Sequence, residues 1–162
     1  MHPTFEQQAL DALPRLRRFA AGLAGHPADG DDLCQMTIER ALANRDKFQA
    51  GTRIDSWMYR IMRNIWIDEQ RARNRRNQTF VVDEAGLLVG TDGAQEAQVE
   101  LANVDRALAM LPPEQREAVL LVMVEGFSYR EAAEIVNCPV GTLNSRLVRG
   151  RDALLAILEQ SA

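Results

Sequence analysis

The residues best suited to chemistry with a nucleic acid lie near the C-terminal end of the chain. Between Val140 and Arg151 there are three arginines and no acid, although the whole chain has a formal net charge of −4. Arginine, asparagine and serine side chains can hydrogen-bond base edges, and arginine also neutralises phosphates. The stretch therefore indicates a DNA-contacting surface. The alternative is an ordinary solvated helix face.

A single helix can present these side chains together. At about 100° per residue, one face is apolar and consists of Leu143, Leu147, Gly150, Leu154 and Leu158. The opposite face consists of Asn144, Ser145, Val148, Arg149 and Asp152, flanked by Arg146 and Arg151. The apolar face should pack inward, which leaves the other face free to enter a major groove.

A shorter helix should precede this one and orient it. Ser128 and Glu131 have the spacing of a capping box, and Phe127 is placed to pack against Ala132 as a hydrophobic staple. Asn137 suits a left-handed helix stop, and Pro139 suits the start of the next helix. Helix, tight turn and helix are the pattern of a helix-turn-helix.

A second candidate surface lies in the segment 55–76, which combines aromatic and basic side chains. Its core face should be Met58, Ile61, Met62, Ile65 and Trp66. Its other face carries Trp57, Arg60, Asn64, Asp68, Arg71 and Arg75, with Tyr59 and Arg63 to one side. Stacking rings and cations are what unpaired bases and phosphates require. The alternatives are core or rim packing for the two aromatics and a simple exposed helix end for the arginines.

A third surface is acidic and belongs to the helix before it. Leu33, Thr37, Ile38 and Ala41 should point inward. Asp32, Gln35, Met36 and Glu39 should point outward together. Such a strip does not favour DNA but suits a protein partner, with methionine as an adaptable contact. An ordinary solvated face is the alternative.

The elements that position these surfaces are predicted to be helical throughout. Helices are expected over 4–23, from 29–32 to 44, over 55–75, from 97 to the residue before Pro112, over 114–125 and twice beyond Phe127. The segment 77–96 is acidic and glycine-rich and is predicted to be a flexible linker. The fold class is therefore all-α, with two small helical domains at 1–76 and 97–162, the second containing the helix-turn-helix.

Composition argues against several functional classes. The two cysteines lack the spacing of a disulfide framework or a zinc site, and no nucleophile–base set accompanies His2 or His26. We therefore expect no catalytic residue, metal or cofactor. A secretory signal pattern is missing, and the longest apolar run, Ala118 to Val124, is too short to cross a bilayer. We expect a cytoplasmic protein with no membrane insertion.

Taken together, the motifs resemble the extracytoplasmic-function class of bacterial RNA polymerase sigma factors. The N-terminal resemblance lies in "DDLCQMTIERAL" and "KFQAGTRIDSWMYRIMRNIWIDEQRARNRR". The C-terminal one lies in "LANVDRALAMLPPEQREAVLLVMVEGFSYREAAEIVNCPVGTLNSRLVRGRDAL". Both occur in the family's order and together cover most of the chain outside the predicted linker.

The resemblance implies a role for each surface. The polymerase-binding segment would include Asp32, Gln35, Met36 and Glu39. The helix that reads the −10 element and assists promoter opening would use Trp57, Tyr59, Arg60, Arg63, Asn64, Asp68, Arg71 and Arg75. The −35 reader would use Thr142, Asn144, Ser145, Arg146, Val148, Arg149 and Arg151. The implied partners are core RNA polymerase, promoter DNA and an inhibitory anti-sigma factor.

Two positions depart from the family pattern, and two rival functions remain. Met36 stands where an acid is common, which could change docking strength, and Asn144 stands where a base is common, which could change the promoter that is read. One rival is a stand-alone helix-turn-helix regulator that binds duplex DNA as a dimer. The other is a decoy or adaptor that binds an anti-sigma factor and makes no DNA contact.

Overall fold

The computed structural model describes residues 3–79 and 96–161, and these residues are helical apart from short turns. Within those ranges the α-helices are α1 (Phe5–Ala24), α2 (Pro27–Ala43), α3 (Ile54–Thr79), α4 (Glu96–Met110), α5 (Pro113–Val119), α6 (Tyr129–Val136) and α7 (Val140–Ser161). The all-α class is therefore confirmed. The predicted linker lies mostly outside the described residues, although α3 continues through the first positions of that segment.

Helices α1, α2 and α3 form an N-terminal unit. Thr4 begins α1 with a capping box completed by Gln7, and Gly25 ends it in the left-handed conformation at φ 76°. His26 then caps α2, and Pro27 occupies its first turn. Helix α2 consequently begins before the predicted start near Asp29, because a proline at the first helical position has its φ already set and lacks only an amide that would be unbonded anyway.

Helices α4 to α7 form a C-terminal unit. The predicted helix over 114–125 is α-helical only to Val119, and Leu120–Val124 form one wider π-helical turn. The Glu125 amide therefore donates to the Leu120 carbonyl five residues back, at 2.8 Å. Ser128 and Glu131 form the predicted capping box, and Asn137 adopts the predicted left-handed conformation at φ 56°. Both signals for the helix-turn-helix are confirmed.

The two units pack against each other around one continuous hydrophobic core. Tyr59 of α3 lies edge-on between Phe19 of α1 and Phe127 of the C-terminal unit, with ring centroids 4.6 and 5.3 Å away. Gly22 allows the Leu120 side chain to approach α1, since an added Cβ would lie 2.8 Å from it. Aromatic and aliphatic burial therefore holds the units together as well as stabilising each of them.

Two further observations concern the described residues as a whole. None of their helices is both long and apolar enough to cross a membrane. In the same part of the chain, no group of three or more histidine, cysteine, aspartate and glutamate side chains could hold a metal ion. Cys34 is buried and Cys138 half-buried, and both are free thiols.

Candidate nucleic-acid interface

The outward face of α7 is open to solvent. Asn144, Ser145, Val148 and Arg149 are exposed, whereas Leu143 and Leu147 on the opposite side are buried. This division matches the one predicted from helical periodicity. Arg149 makes no hydrogen bond or ion pair within the described part of the chain, so its five donors face water.

The other residues predicted to read the −35 element are partly buried or make contacts within the chain. Thr142 and Arg146 are half-buried, and the Arg146 Nε lies 4.0 Å from a Glu114 carboxylate oxygen. Arg151 lies 3.8 Å from Asp152 and is exposed, and the Ser145 hydroxyl donates to the Gly141 carbonyl. An exposed pair at these distances contributes little, so both guanidinium groups can rearrange toward a phosphate at small cost.

The α3 surface is different, because the C-terminal unit contacts its first turns, where Tyr59 is buried and Arg63 half-buried while Arg60 stays exposed. Tyr59 is completely buried, and its hydroxyl donates to Glu125 Oε1 at 2.7 Å. The Arg63 Nε donates to Glu117 Oε2 at 2.6 Å, and Arg60 donates to the Glu134 carbonyl at 3.2 Å. In this arrangement these three side chains contact protein where the sequence analysis expects nucleic acid.

Trp57 lies at the rim of this surface and is half-buried. Its ring lies 5.2 Å from that of Phe48 and 5.9 Å from that of Phe5, which fixes the indole between α1 and the turn after α2. One of its edges opens into a cleft of about 510 Å³ between the units, lined by residues that include Lys47, Arg53 and Glu131. The cleft thus combines one aromatic with several charged groups.

The far half of α3 is uncovered. Asn64, Asp68, Arg71 and Arg75 are all exposed. Solvent therefore reaches these four residues but not the buried Tyr59, although the sequence pattern assigns all five to one function.

A charged cluster at the start of α3 ties the loop before it to the helix. The Asp55 side chain accepts hydrogen bonds from Arg15 at 2.8 Å and from Arg53 at 3.1 and 2.8 Å, and it also accepts one from the Ser56 amide. Burial raises the pKa of Asp55, but the bonds from Arg53 and Ser56 outweigh burial and hold the pKa below its usual value. Asp55 is therefore ionised in the folded chain at neutral pH.

Two carboxylates of the C-terminal unit are buried against α1 and α3. The Glu125 side chain is fully buried and accepts two hydrogen bonds from Arg18, each at 2.9 Å, in addition to the one from Tyr59. The Glu117 side chain is 3 % exposed, and burial raises its pKa although Arg63 opposes the shift. A buried carboxylate needs such partners, because an unpaired charge would be strongly unfavourable there.

The acidic strip on α2 is present as predicted. Asp32, Gln35 and Glu39 are exposed, and 37 % of Met36 is accessible. The Gln35 amide donates to Glu39 at the long distance of 3.5 Å, which leaves both groups available to a partner. A groove of about 670 Å³ runs beside them.

The residues of the C-terminal unit that contact α3 were not predicted from the sequence. Glu117, Leu121 and Glu125 are spaced four residues apart, so a helical wheel places both acids beside a buried leucine. That signal was available in the sequence. Arg53, which bonds both Asp55 and Glu131, lies in a loop, where periodicity carries no information.

Two family models match separate parts of the chain. Residues 101–154 match the model of Sigma-70, region 4, which includes the helix-turn-helix. Residues 10–63 match the model of the Sigma2 domain of PhyR, and this range covers most of α1, all of α2 and the first turns of α3. The matches fall on the two units seen in the fold.

Individual relatives extend the similarity over nearly the whole chain. The ECF RNA polymerase sigma factor EcfG of Rhodopseudomonas palustris is 43 % identical over 149 residues, which are 92 % of this chain and 82 % of that protein. The sigma factor RpoE of Bartonella quintana, solved in complex with the anti-sigma factor NepR, superposes with a TM-score of 0.81 at 34 % identity over 96 % of each chain.

A solved complex of the anti-anti-sigma factor PhyR with NepR, also from Bartonella quintana, shares the fold. Its TM-score is 0.62 at 22 % identity, over 93 % of this chain and 49 % of that one. The identity and coverage of the sigma factor matches favour that function over a stand-alone helix-turn-helix regulator. The chain belongs to the extracytoplasmic-function class of RNA polymerase sigma factors, the subunits that direct core polymerase to particular promoters.

Proposed function

We propose that this sigma factor docks on core polymerase through the α2 strip and reads promoter DNA through α3 and α7. The observation that carries the proposal is the exposed face of α7, which has no acid between Val140 and Arg151 and lies within the residues matched by the region 4 model. Its arginines can neutralise phosphates while Asn144, Ser145 and Val148 meet base edges and a thymine methyl group. The factor works in the cytoplasm, where the polymerase is.

The −10 contacts are assigned to α3. Trp57 supplies a ring for stacking, and the basic residues from Arg60 to Arg75 follow the strand backbone. When both promoter elements are bound at once, two weak contacts together give a high overall affinity. After the first contact forms, the second site is held at a high effective concentration. The binding of bases from the melted strand offsets the free energy of unstacking those bases, which is a few kcal/mol per base step.

The α2 strip is assigned to the polymerase. Asp32, Gln35, Met36 and Glu39 form an exposed surface away from the arginines that face DNA. Its acidic side chains would repel phosphates, whereas a basic or apolar protein surface can accept them. The same chain is proposed to bind an inhibitory anti-sigma factor, by analogy with the RpoE–NepR complex.

Run-off transcription tests the assignment directly. Purified core polymerase with the wild-type chain should initiate at defined promoters selected from genomic fragments, and core polymerase alone should not. A triple variant, Asp32→Ala, Gln35→Ala and Glu39→Ala, should lose transcription and co-elution with the core enzyme together. Co-elution of the triple variant at wild-type level would remove the strip from the docking surface.

Substitution of Trp57 distinguishes promoter opening from the binding of promoter duplex. Trp57→Ala holoenzyme should bind closed promoter duplex nearly normally and form open complexes poorly, as detected by permanganate reactivity of unpaired thymines. Equal losses in the two assays would contradict the melting role.

One rival function has an observation in its favour. The N-terminal unit matches the Sigma2 domain of PhyR, and PhyR is described as an anti-anti-sigma factor. A decoy of that kind would bind an anti-sigma factor without starting transcription. The run-off assay distinguishes the two, because only a sigma factor yields promoter-specific transcripts with core polymerase.

A further inference from the structure

One glycine of α7 has no reason within the described fold to be a glycine. Gly141 lies in the first turn of the helix, its φ is not positive, and a Cβ added there would meet no described atom within 4 Å. Every other described glycine has a positive φ or an atom closer than 3 Å to the place that its Cβ would take. Packing and backbone conformation therefore explain those glycines and leave Gly141 unexplained.

A glycine in a helix also lowers stability. Glycine loses more conformational freedom on folding than any other residue, so alanine gives the more stable chain at a helical position that has room for it. Glycine is nevertheless used where the backbone must come close to a ligand. Gly141 therefore indicates that another molecule approaches the first turn of α7.

Gly141 belongs to the face of α7 that is assigned to the −35 element. Asn144, Ser145 and Val148 follow it at three, four and seven residues, so the four positions lie along one side of the helix. All four are exposed. Gly141 comes first among them, at the N-terminal end, where the residues of a recognition helix contact base edges.

Ser145 makes this end of the face shallower still. Its hydroxyl donates to the Gly141 carbonyl at 3.1 Å, four residues back, which holds the side chain along the helix. A position without a side chain and a short side chain that lies along the backbone together leave a low surface. The longer side chains of Asn144 and Val148 are exposed beside it.

We propose that Gly141 is a DNA-contacting residue of the −35 reader, whose missing side chain lets the first turn of α7 lie against the major groove. This inference rests on the proposed function of α7. A methyl group at this position would extend the surface by about 1.5 Å, the length of a C–C bond. Hydrogen bonds to base edges need a donor–acceptor distance of about 3 Å, so a helix held that much farther out would lose them.

Stability and promoter binding should consequently respond in different ways to a larger residue. Alanine and leucine are better helix formers than glycine. Gly141→Ala and Gly141→Leu should therefore unfold at the wild-type midpoint or up to about 3 °C above it. The same variants should bind the −35 element more weakly, by about 5-fold for alanine and about 50-fold or more for leucine, which is the range for one mismatched base pair.

The test uses holoenzyme formed from the full chain and core polymerase. Its binding to a fluorescein-labelled promoter duplex, chosen by run-off transcription with the wild-type chain, is measured by anisotropy. A second duplex carries an altered −35 element. The matched control is Ala156→Leu, which places the same side chain at an exposed position about four turns farther along α7. Circular dichroism gives the unfolding midpoint of each free chain.

We expect both Gly141 variants to lose affinity for the intact promoter, leucine more than alanine, and to bind the altered duplex as the wild-type holoenzyme does. Ala156→Leu should match wild type on both duplexes. Unchanged affinity of Gly141→Leu for the intact promoter would overturn the proposal, and so would equal losses on the two duplexes. A loss of affinity with a lower unfolding midpoint would also overturn it, because the glycine would then serve the fold.

The wild-type holoenzyme distinguishes this inference from the proposed function. If wild type prefers the intact duplex and the Gly141 variants prefer it equally, only the role of Gly141 is wrong. If wild type shows no preference for the intact −35 element, the assignment of α7 to that element fails first, and the role of Gly141 fails with it.

Discussion

The two surfaces assigned to DNA differ in what occupies them in the free chain. The α7 face is exposed, and Arg149 has no partner among the described residues. The first turns of α3 contact buried carboxylates, and Tyr59 is completely inaccessible. Both surfaces are built from a helix with one apolar and one polar face, so the difference arises from the packing between units rather than from either helix itself.

The difference means that the α7 face can be reached without moving the units, whereas Tyr59 and Arg63 in the first turns of α3 cannot. An exposed guanidinium group is hydrated and can exchange water for phosphate quickly. A guanidinium group that is paired with a buried carboxylate must first separate from it. The carboxylate is then left buried without a compensating positive charge. The α7 face should therefore respond to local substitutions, whereas the α3 face should respond to substitutions in both units.

Breaking the covered side should have the largest effect. Arg63→Ala leaves the Glu117 carboxylate buried without its cation, and we expect the free energy of unfolding to fall by about 3–5 kcal/mol, measured by urea denaturation. Separation of the units would hydrate Glu117, so the loss is capped by the free energy of their packing. Arg71→Ala, on the exposed half of α3, is the control and should change stability by less than about 0.5 kcal/mol.

The same pair gives a double-mutant cycle. Arg63→Ala with Glu117→Ala should be less destabilising than the sum of the single variants, because neither charge is then left alone. If the two losses in the free energy of unfolding simply add, the Arg63–Glu117 pair does not stabilise the contact between the units.

Removing a contact from the open side should affect promoter use and leave stability almost unchanged. Arg149→Ala should weaken −35 engagement by about 1–3 kcal/mol if the guanidinium meets a base. The measurement is competition between promoters with and without an altered −35 element in run-off transcription. Arg106→Ala, an exposed arginine on α4, is the control. Unchanged promoter use by Arg149→Ala would remove this residue from the reading surface.

The charged cluster around Asp55 at the start of α3 should show its contribution to stability at acid pH. The pKa of Asp55 is lowered in the folded chain, so its stabilisation is complete above its unfolded value of about 3.9 and is lost as pH falls through the lower folded value. Asp55→Asn should reduce stability by about 1–2 kcal/mol at pH 7, discounted because Arg15 and Arg53 are half-exposed.

Denaturation at several pH values tests this sign. The difference between wild type and Asp55→Asn should shrink as pH is lowered below about 4. Glu117 acts in the opposite sense, because its raised pKa removes stability as pH rises from its unfolded to its folded value. A difference that stays constant down to acid pH would contradict the assigned role of Asp55.

The smallest effect is expected at the turn that presents the open surface. Asn137 has φ 56°, and alanine there should destabilise the chain by about 1 kcal/mol, because alanine lacks the short polar side chain that lets asparagine tolerate the left-handed region. Glycine at the same position should be tolerated. The midpoints of thermal unfolding are compared between the two variants. Equal midpoints would show that this position has no preference for a residue that tolerates positive φ.

Sequence reasoning predicted the local structure of both surfaces well. The Ser128 cap, the Asn137 stop and the division of α7 into buried and exposed faces follow from short-range rules, and the structure confirms them. Helical periodicity also identified the buried Met58, Met62, Ile65 and Trp66. These features depend on residues within two turns of one another.

What the sequence did not predict depends on contacts between distant residues. Tyr59 and Glu125 are 66 positions apart, and no periodicity within either helix indicates that they meet. The π-helical turn that precedes Glu125 was likewise missed, because its sequence of aliphatic residues suits an ordinary α-helix equally well. Domain limits and the assignment of single residues to promoter elements remain predictions.

Lys47 is the only lysine of the chain, and it lines the cleft between the units. Every other side-chain cation except histidine is a guanidinium, which amine-directed reagents leave untouched. Lys47 is therefore the one side chain that an amine-directed fluorophore would label, and selection against label on the α-amino group leaves a single fluorophore in the lining of that cleft. Its emission would record the parting of the two units in real time, including in the presence of polymerase.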